Sequence, residues 1–178
     1  MKSLCLLILI FIIAVISTSA QSAFEKTYGG TGSDWMTSVQ QTSDQGYIAV
    51  GSTTSFGVAL HDVYLIKTNS LGDTLWARTY GGINDDWGFD CHQTSDGGYI
   101  IAGATTSAGA GSHDVYVIKT NSSGEILWTK TYGGSSSDEG YSVRQTSDRG
   151  YIITGLSWSL GAGSYDVYLI KTNTSGDT

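Results

Sequence analysis

The chain repeats itself three times at a period of 52 residues, with no insertion or deletion between the copies. The copies span residues 23–74, 75–126 and 127–178, and 23 of the 52 positions are identical in all three. Periods of this order are typical of propellers and solenoids, in which each repeat is one supersecondary unit that stacks on its neighbours. The sequence therefore predicts three like units that form one repeat domain.

Each copy contains four short runs rich in β-branched and aromatic residues, with Gly, Asn, Asp and Ser between them, which predicts four strands. In the second copy the runs are residues 75–80, 87–94, 99–102 and 114–120. No stretch keeps a 3.6-residue apolar period over the length of a helix. Four antiparallel strands per copy predict an all-β fold of β-propeller-type blades, and a β-solenoid is the competing architecture.

Residues 1–20 have the three parts of a secretory signal peptide. Lys2 gives a positive start, Leu4–Ile16 is an unbroken apolar run of 13 residues, and small residues lead to a cleavage site after Ala20. A bilayer span takes about 20 apolar residues, so we predict export and no stable membrane span. The mature protein is expected to be secreted or held at the cell surface.

Removal of the leader leaves Cys91 as the single cysteine of the three copies. An internal disulfide is then impossible, so packing and backbone pairing must hold the fold together. Val39 and Val143 occupy the same position in the other two copies. This equivalence predicts that Cys91 is a buried, small apolar residue.

Three copies leave two open blade faces, because closed propellers have about four to eight blades. The chain is expected to form an incomplete or open propeller, and three explanations compete. It could be a fragment of a longer array, one half of a six-bladed dimer, or an open stack. The last copy does not diverge into a cap as terminal repeats normally do, so we expect the fragment. Neighbouring repeats or self-association would cover the open faces.

The acidic balance does not by itself indicate a binding function. The chain has 16 acidic against 9 basic residues and a net charge of −7, which gives no reason to expect nucleic-acid binding. Four acidic positions recur in every copy and hold 12 of the 16 acids, so turn capping by carboxylates explains most of the charge. These positions are 34, 86 and 138; 44, 96 and 148; 62, 114 and 166; and 73, 125 and 177.

Metal binding is the sharper alternative for the Gly-Gly-x-x-x-Asp loops that end at Asp34, Asp86 and Asp138. Calcium takes six to eight oxygen ligands, whereas no Asp-x-Asp-x-Asp-Gly pattern occurs in the chain. Zinc would need the histidines to converge. His61 and His113 hold the same position in different copies, and neither a His-Glu-x-x-His nor a paired-Cys motif is present. We therefore predict no metal site.

Two motifs resemble known propellers. Gly72–Trp76 and Gly124–Trp128 resemble the Gly-x-x-x-Trp docking motif of quinoprotein-type propellers. The run 127–134, with Asp148-x-Gly-Tyr-Ile after it, is similar to bacterial β-propeller (SBBP-type) repeats. This resemblance covers residues 23–178 and implies an exported or surface protein without one common chemistry. The quinoprotein-type docking motif implies that a ring packs between blades at Trp76 and Trp128, and at Phe24, which holds the same position in the first copy.

Catalytic motifs are absent from the sequence. It has no Gly-x-Ser-x-Gly elbow, no P-loop and no dinucleotide fingerprint. The adjacent-Cys pair of quinoprotein alcohol dehydrogenases is missing as well, and three blades cannot surround a quinone. We predict a non-catalytic exported module, without a cofactor, for extracellular or cell-surface interaction with a protein or a polysaccharide. The first alternative is an ancillary domain of a larger secreted enzyme, such as a polysaccharide-degrading hydrolase. A quinoprotein oxidoreductase is a less favoured alternative.

Aromatic residues that break the repeat are the best candidates for ligand contacts. They are Trp35, Trp87, Phe56 and Trp158. Trp35 and Trp87 hold the same position in two copies, where the third copy has Glu139. Nine of the 11 tyrosines recur instead at fixed strand positions, which packing between blades explains at least as well as a carbohydrate-binding row.

Overall fold

A computed structural model describes residues 23–58 and 60–178, and the predicted leader lies outside these residues. The described chain is all-β, with eleven strands and no helix, so it contains no helix that could cross a membrane. The strands are β1 (Asp34–Gln41), β2 (Tyr47–Thr53), β3 (Asp62–Thr68), β4 (Thr74–Tyr80), β5 (Asp86–Gln93), β6 (Tyr99–Thr105), β7 (Asp114–Thr120), β8 (Ile126–Tyr132), β9 (Asp138–Gln145), β10 (Tyr151–Ser157) and β11 (Asp166–Thr172).

The strands form three antiparallel sheets, each of which is one blade. Blade 1 has the order β1-β2-β3-β4, blade 2 the order β5-β6-β7-β8, and blade 3 only β9-β10-β11. The predicted open arrangement of β-propeller-type blades is confirmed. The blades run out of phase with the sequence copies, because β4 and β8, at the start of copies two and three, complete the sheet before them.

The hydrophobic core lies between the blades. We call the face that a blade turns to the next blade its trailing face, and the opposite face its leading face. Ile48, Val50, Val63 and Leu65 of blade 1 cluster with residues of the leading face of blade 2, among them Cys91. Cys91 is fully buried, as predicted, and burial raises the pKa of its thiol.

The second interface repeats the chemistry of the first. Residues 100, 102, 115 and 117 of blade 2 pack against Val143, Tyr151, Ile153 and Ile170 of blade 3. Burial of an aliphatic side chain of this size contributes about 1.5–3 kcal/mol. Contacts between blades are therefore the main source of stability in the described residues, whose single cysteine, Cys91, is free.

The hairpin between β1 and β2 corrects one prediction about backbone conformation. The Thr-Ser-Asp-x-Gly sequence predicts positive φ at the glycine, but Gln45, the residue before it, adopts φ 66°. Thr42 N donates to Gly46 O at 2.9 Å. A Cβ at Gly46 would lie under 3.0 Å from Thr68 O, so this glycine is required by close approach and not by its φ.

A substitution at Ser52 tests the packing inside blade 1. Among residues 23–58 and 60–178, Ser52 Oγ is the one buried side-chain nitrogen or oxygen without a hydrogen-bond partner, and Ala104 holds the same position in blade 2. Because an unsatisfied hydroxyl costs about 1–3 kcal/mol, Ser52→Ala is expected to raise the free energy of unfolding by about 1 kcal/mol. Urea denaturation measures the change.

The control for this substitution is Ser55→Ala. Ser55 Oγ donates to Asp34 Oδ2 at 2.6 Å, so this change is expected to lower stability by about 1 kcal/mol. A loss of stability on Ser52→Ala as well would show that the Ser52 hydroxyl is needed.

Candidate functional site

Carboxylates fix the loops at one end of the blades, where β1, β5 and β9 begin. Asp34 accepts hydrogen bonds from Gly30 N at 2.9 Å, from Ser55 Oγ at 2.6 Å and from the Thr53 hydroxyl. Burial alone would raise the pKa of Asp34, but these hydrogen bonds outweigh it and hold the pKa below its usual value. Turn capping by this aspartate is thus confirmed. Asp86 accepts the corresponding three bonds. Asp138 accepts them from Gly134 N, Ser159 Oγ and the hydroxyl of Ser157, which replaces the threonine.

Aromatic rings from two blades form a continuous row above this framework. The centroid of the Trp35 ring lies 5.3 Å from that of His61, and His61 lies 5.9 Å from Trp87. His113 continues the row at 5.2 Å from Trp87. We call these four residues the aromatic row. The structure therefore brings Trp35 and Trp87 into one surface, with His61 between them.

The two histidines of the row are held by the loops that lead into the next blade. His61 Nδ1 lies 2.7 Å from Asp85 Oδ1, and the His61 carbonyl accepts a hydrogen bond from Asp86 N at 2.8 Å. His113 Nδ1 lies 3.2 Å from Ser137 Oγ. Each histidine thus joins one blade to the inner strand of the next, which makes the row a feature of the assembled blades.

Gly103, which pairs with Gly88 next to Trp87, makes the local strand geometry possible. The pairing of β5 with β6 shifts register between Gly88 and Asp90, which marks a β-bulge. A Cβ on Gly103 would lie under 3.0 Å from the Trp87 carbonyl oxygen. Bulges redirect side chains at functional surfaces. Gly103 therefore allows the close approach of β6 that this bulge requires.

Blade 3 continues the row with different chemistry. Glu139 stands where the other blades have tryptophan, and Tyr165 where they have histidine. The Trp158 ring lies 5.2 Å from the Tyr165 ring. Tyr141 donates to Glu139 Oε2 at 2.7 Å, and burial together with this carboxylate raises the pKa of Tyr141 to about 12. The third blade thus adds a carboxylate at the end of the row.

A shallow depression lies between the row and Glu139. It has a volume of about 240 Å³, and Trp87, Phe89, His113 and Glu139 line it. Pockets for small molecules usually measure about 300–1,000 Å³. This depression is smaller, so it suits one unit of a longer ligand better than a whole small molecule.

Phe56, the fourth residue that breaks the repeat, does not join the row. Its ring lies 5.4 Å from the Tyr64 ring, beside a separate depression that includes Arg78. Of the four candidates chosen from the sequence, Trp35 and Trp87 belong to the row, Trp158 lies beside Tyr165 in blade 3, and Phe56 lies apart.

The residues that the resemblance assigns to docking all contact the blade that follows them. The Trp76 ring lies 5.7 Å from Tyr99, and a Cβ on Gly124 would lie under 3.0 Å from Trp76. Gly124 has φ 78°, so both its conformation and its space require glycine. The corresponding ring pairs are Phe24 with Tyr47 and Trp128 with Tyr151.

Asp90 is a residue of the inner strands that the sequence analysis missed. Its carboxylate accepts hydrogen bonds from Ser38 Oγ at 2.8 Å, from Ser142 Oγ and Val143 N at 3.0 Å each, and from Arg144. Asp90 thus links all three blades. Burial alone would raise its pKa, but these bonds hold the pKa below its usual value. The sequence did contain a signal for this residue, because the second copy has Asp90 at the position where the other two copies have serine.

The acidic and histidine side chains do not assemble into a metal centre in the described ranges, which contain no group of three or more His, Cys, Asp or Glu arranged to hold an ion. His61 and His113 lie on either side of Trp87 instead. His92 lies on β5, with Nε2 3.7 Å from Asp90 Oδ1.

Comparison with known proteins gives one distant relative. No family model matches the chain. The regulatory protein FlaEY of Caulobacter vibrioides is 27% identical over 137 residues, which cover 65% of this chain and 14% of that protein. The chain thus corresponds to a small part of this longer relative.

Proposed function

We propose that the chain is a non-catalytic, exported β-propeller-type module that binds an extracellular or cell-surface polysaccharide or protein through the aromatic row. The observation that carries the proposal is the continuity of Trp35, His61, Trp87 and His113 across two blades. Trp35 is 38% exposed and Trp87 is partly exposed, so both indole rings are accessible to a partner, and Trp is enriched among the residues that dominate binding energy.

The chemistry of the row favours a polysaccharide over a small molecule. Apolar C–H faces of pyranose rings stack on indole and imidazole rings, and a row of rings offers several such platforms to one extended chain. Asp85 and Glu139 lie beside the row, where their oxygens can accept hydrogen bonds from sugar hydroxyls. An extended ligand would also use the shallow depression without needing a closed cavity.

The leader predicted at residues 1–20 supports the exported location. The non-catalytic part of the proposal rests on the site chemistry. Cys91 holds the one thiol of the described chain, and it is fully buried with a raised pKa, so it is not an available nucleophile. The rings of the row offer surfaces for stacking, and Asp85 and Glu139 beside it offer hydrogen-bond acceptors. Both are features of a binding surface.

A second candidate function is an ancillary repeat domain of a larger exported enzyme, such as a polysaccharide-degrading hydrolase. The observation that favours it is the match to a stretch that makes up 14% of a longer protein. In this case the aromatic row would deliver the same substrate to a catalytic domain elsewhere in the protein.

A glycan array tests the proposed function. The chain from Gln21 onwards is expected to bind one class of polysaccharide and to release no reducing ends from it during prolonged incubation. Hydrolysis by the isolated repeats would contradict both candidates. Failure to bind any glycan, combined with capture of a surface protein by Trp87→Ala as readily as by the wild type, would contradict a role for the row.

A further inference from the structure

The trailing face of blade 3 exposes side chains that are buried in the other blades. Val167 is 86% exposed and Leu169 65% exposed. Val63 and Leu65, at the same positions in blade 1, are 0% exposed because blade 2 covers them. Blade 3 therefore presents an apolar face of the kind that the chain buries twice elsewhere.

The leading face of blade 1 is open in the same way. Val39 is 67% exposed, whereas Cys91 and Val143 at the same position are 0% exposed. Val39 lines a groove of about 400 Å³ together with Met36, Ala49 and other apolar residues. The two open faces thus correspond to the two sides of a blade interface. The interfaces between blades 1 and 2 and between blades 2 and 3 show how such faces pack together.

The segment of residues 24–28 lies where the outer strand of a preceding blade would lie. The Phe24 ring is 5.8 Å from the Tyr47 ring of blade 1. The equivalent contact is made by Trp76 of the outer strand β4, whose ring is 5.7 Å from the Tyr99 ring of blade 2. Tyr28 donates to the Gly72 carbonyl at 2.8 Å, as Tyr80 does to Gly124 at 2.7 Å. Lys26 also pairs with Asp73 in the way that Lys130 pairs with Asp177.

The described residues place no strand in blade 3 at the position that this segment resembles. In blades 1 and 2, β4 and β8 pair with β3 and β7 along their full length. Within the described residues no strand pairs with the outer edge of β11. The described residues thus include an unpaired segment at the position of an outer strand, residues 24–28, and a blade whose outer edge at β11 is unpaired.

We propose that two copies of the chain close into one ring of six blades. The trailing face of blade 3 packs on the leading face of blade 1 of the other copy, and residues 24–28 of that copy complete the sheet of blade 3 by pairing with β11. Contacts of this head-to-tail type form a ring when the rotation closes. Six blades lie within the usual range of about four to eight. In a longer array, further repeats would cover the same faces.

The existing interfaces predict the register of the new one. Leu65 pairs with Arg78 and Val63 with Tyr80, so Leu169 should lie opposite the partner's Lys26. Ser43 N donates to Gln93 Oε1 at 2.8 Å across the first interface. By the same geometry Ser147 N should donate to the partner's Gln41.

Met36 is the point at which the interface between copies must differ from the internal ones. Gly88 and Gly140 hold this position in blades 2 and 3, and a Cβ on Gly88 would lie under 3.0 Å from Val50. Blade 1 also has Ala49 where the other blades have isoleucine. The smaller alanine leaves space for the methionine, whose unbranched chain adapts to irregular gaps.

Cysteine cross-linking tests the proposed register. In the mature chain with Cys91→Val, which introduces the residue of the other copies, Lys26→Cys and Leu169→Cys are expected to form a disulfide between copies on oxidation. A covalent dimer should be the largest product, because the ring closes at two copies. A ladder of larger products would overturn the closed ring, and the absence of a covalent dimer would overturn the pairing.

The matched control for cross-linking is Ile83→Cys with Leu169→Cys, since Ile83 is 85% exposed and lies in the loop between β4 and β5, outside the proposed pairing. This pair is expected to give no specific dimer. Sedimentation of the mature chain without cysteine changes should give twice the monomer mass. Leu169→Glu should weaken the dimer at least tenfold, and Ile83→Glu should leave it unchanged. A wild-type chain that sediments as a monomer would overturn the proposal.

Discussion

Replacement of Gly103 by alanine is expected to lower the free energy of unfolding by about 3 kcal/mol or more. Three backbone atoms of β5 lie near the position that its Cβ would take, and the nearest is the Trp87 carbonyl oxygen, well under 3.0 Å away. The backbone cannot rotate away as a flexible side chain would. The pair of strands must separate, which breaks hydrogen bonds of the β5–β6 ladder and disturbs both blade interfaces.

Gly163→Ala provides the matched control for Gly103→Ala. No atom lies within 4 Å of the position that its Cβ would take, and its φ is not positive. Its free energy of unfolding should stay within about 0.5 kcal/mol of the wild type. Guanidinium denaturation at one protein concentration measures both variants. A loss below about 1 kcal/mol for Gly103→Ala would contradict the bulge geometry.

Asp90→Ala is expected to cost about 3 kcal/mol. The change removes the shared acceptor of Ser38, Ser142 and Arg144, and it leaves the buried amide of Val143 without its partner. Hydrogen bonds to charged groups contribute about 1.5–3 kcal/mol each, and an unsatisfied buried donor adds about 1–3 kcal/mol. Relaxation of the exposed Arg144 side chain reduces the sum. Ser52→Ala is the control, because it also removes a buried polar group, but one without a hydrogen-bond partner. Its free energy of unfolding is expected to rise, whereas that of Asp90→Ala is expected to fall.

The pH dependence isolates the charge of Asp90. Its folded-state pKa lies below the unfolded value of about 3.9. The stabilisation is therefore complete above that pH and is lost as the pH falls through the folded-state pKa. The difference in unfolding free energy between the wild type and Asp90→Asn should shrink below about pH 4. A difference that stays constant between pH 7 and pH 3 would contradict the hydrogen-bonded carboxylate.

The blade architecture could be predicted from the sequence because the repeat supplies the same evidence three times. The run 114–120 recurs without change in length, and the structure forms a strand over the same residues. The phase of the blades could not be predicted in this way. A period of 52 residues has no natural starting point, and only hydrogen bonding between β3 and β4 assigns residues 74–80 to the first blade.

The candidate site was predictable in part. Trp35 and Trp87 stood out because the third copy replaces them with Glu139. Their connection through His61 depends on how far one blade is rotated against the next, which the spacing of residues along the chain does not contain. Asp90 was missed because its partners come from two other inner strands, β1 and β9, and because only one copy carries a charge at this position.

The most direct test of the proposed function is a calorimetric titration with the glycan class that the array identifies. The wild type, Trp87→Ala and Phe56→Ala should be compared, because Phe56 is an exposed aromatic residue outside the row. We expect Trp87→Ala to weaken binding at least tenfold, or about 1.4 kcal/mol, and Phe56→Ala to bind as the wild type does. Equal affinity of a folded Trp87→Ala variant and the wild type would contradict the aromatic row as the binding surface.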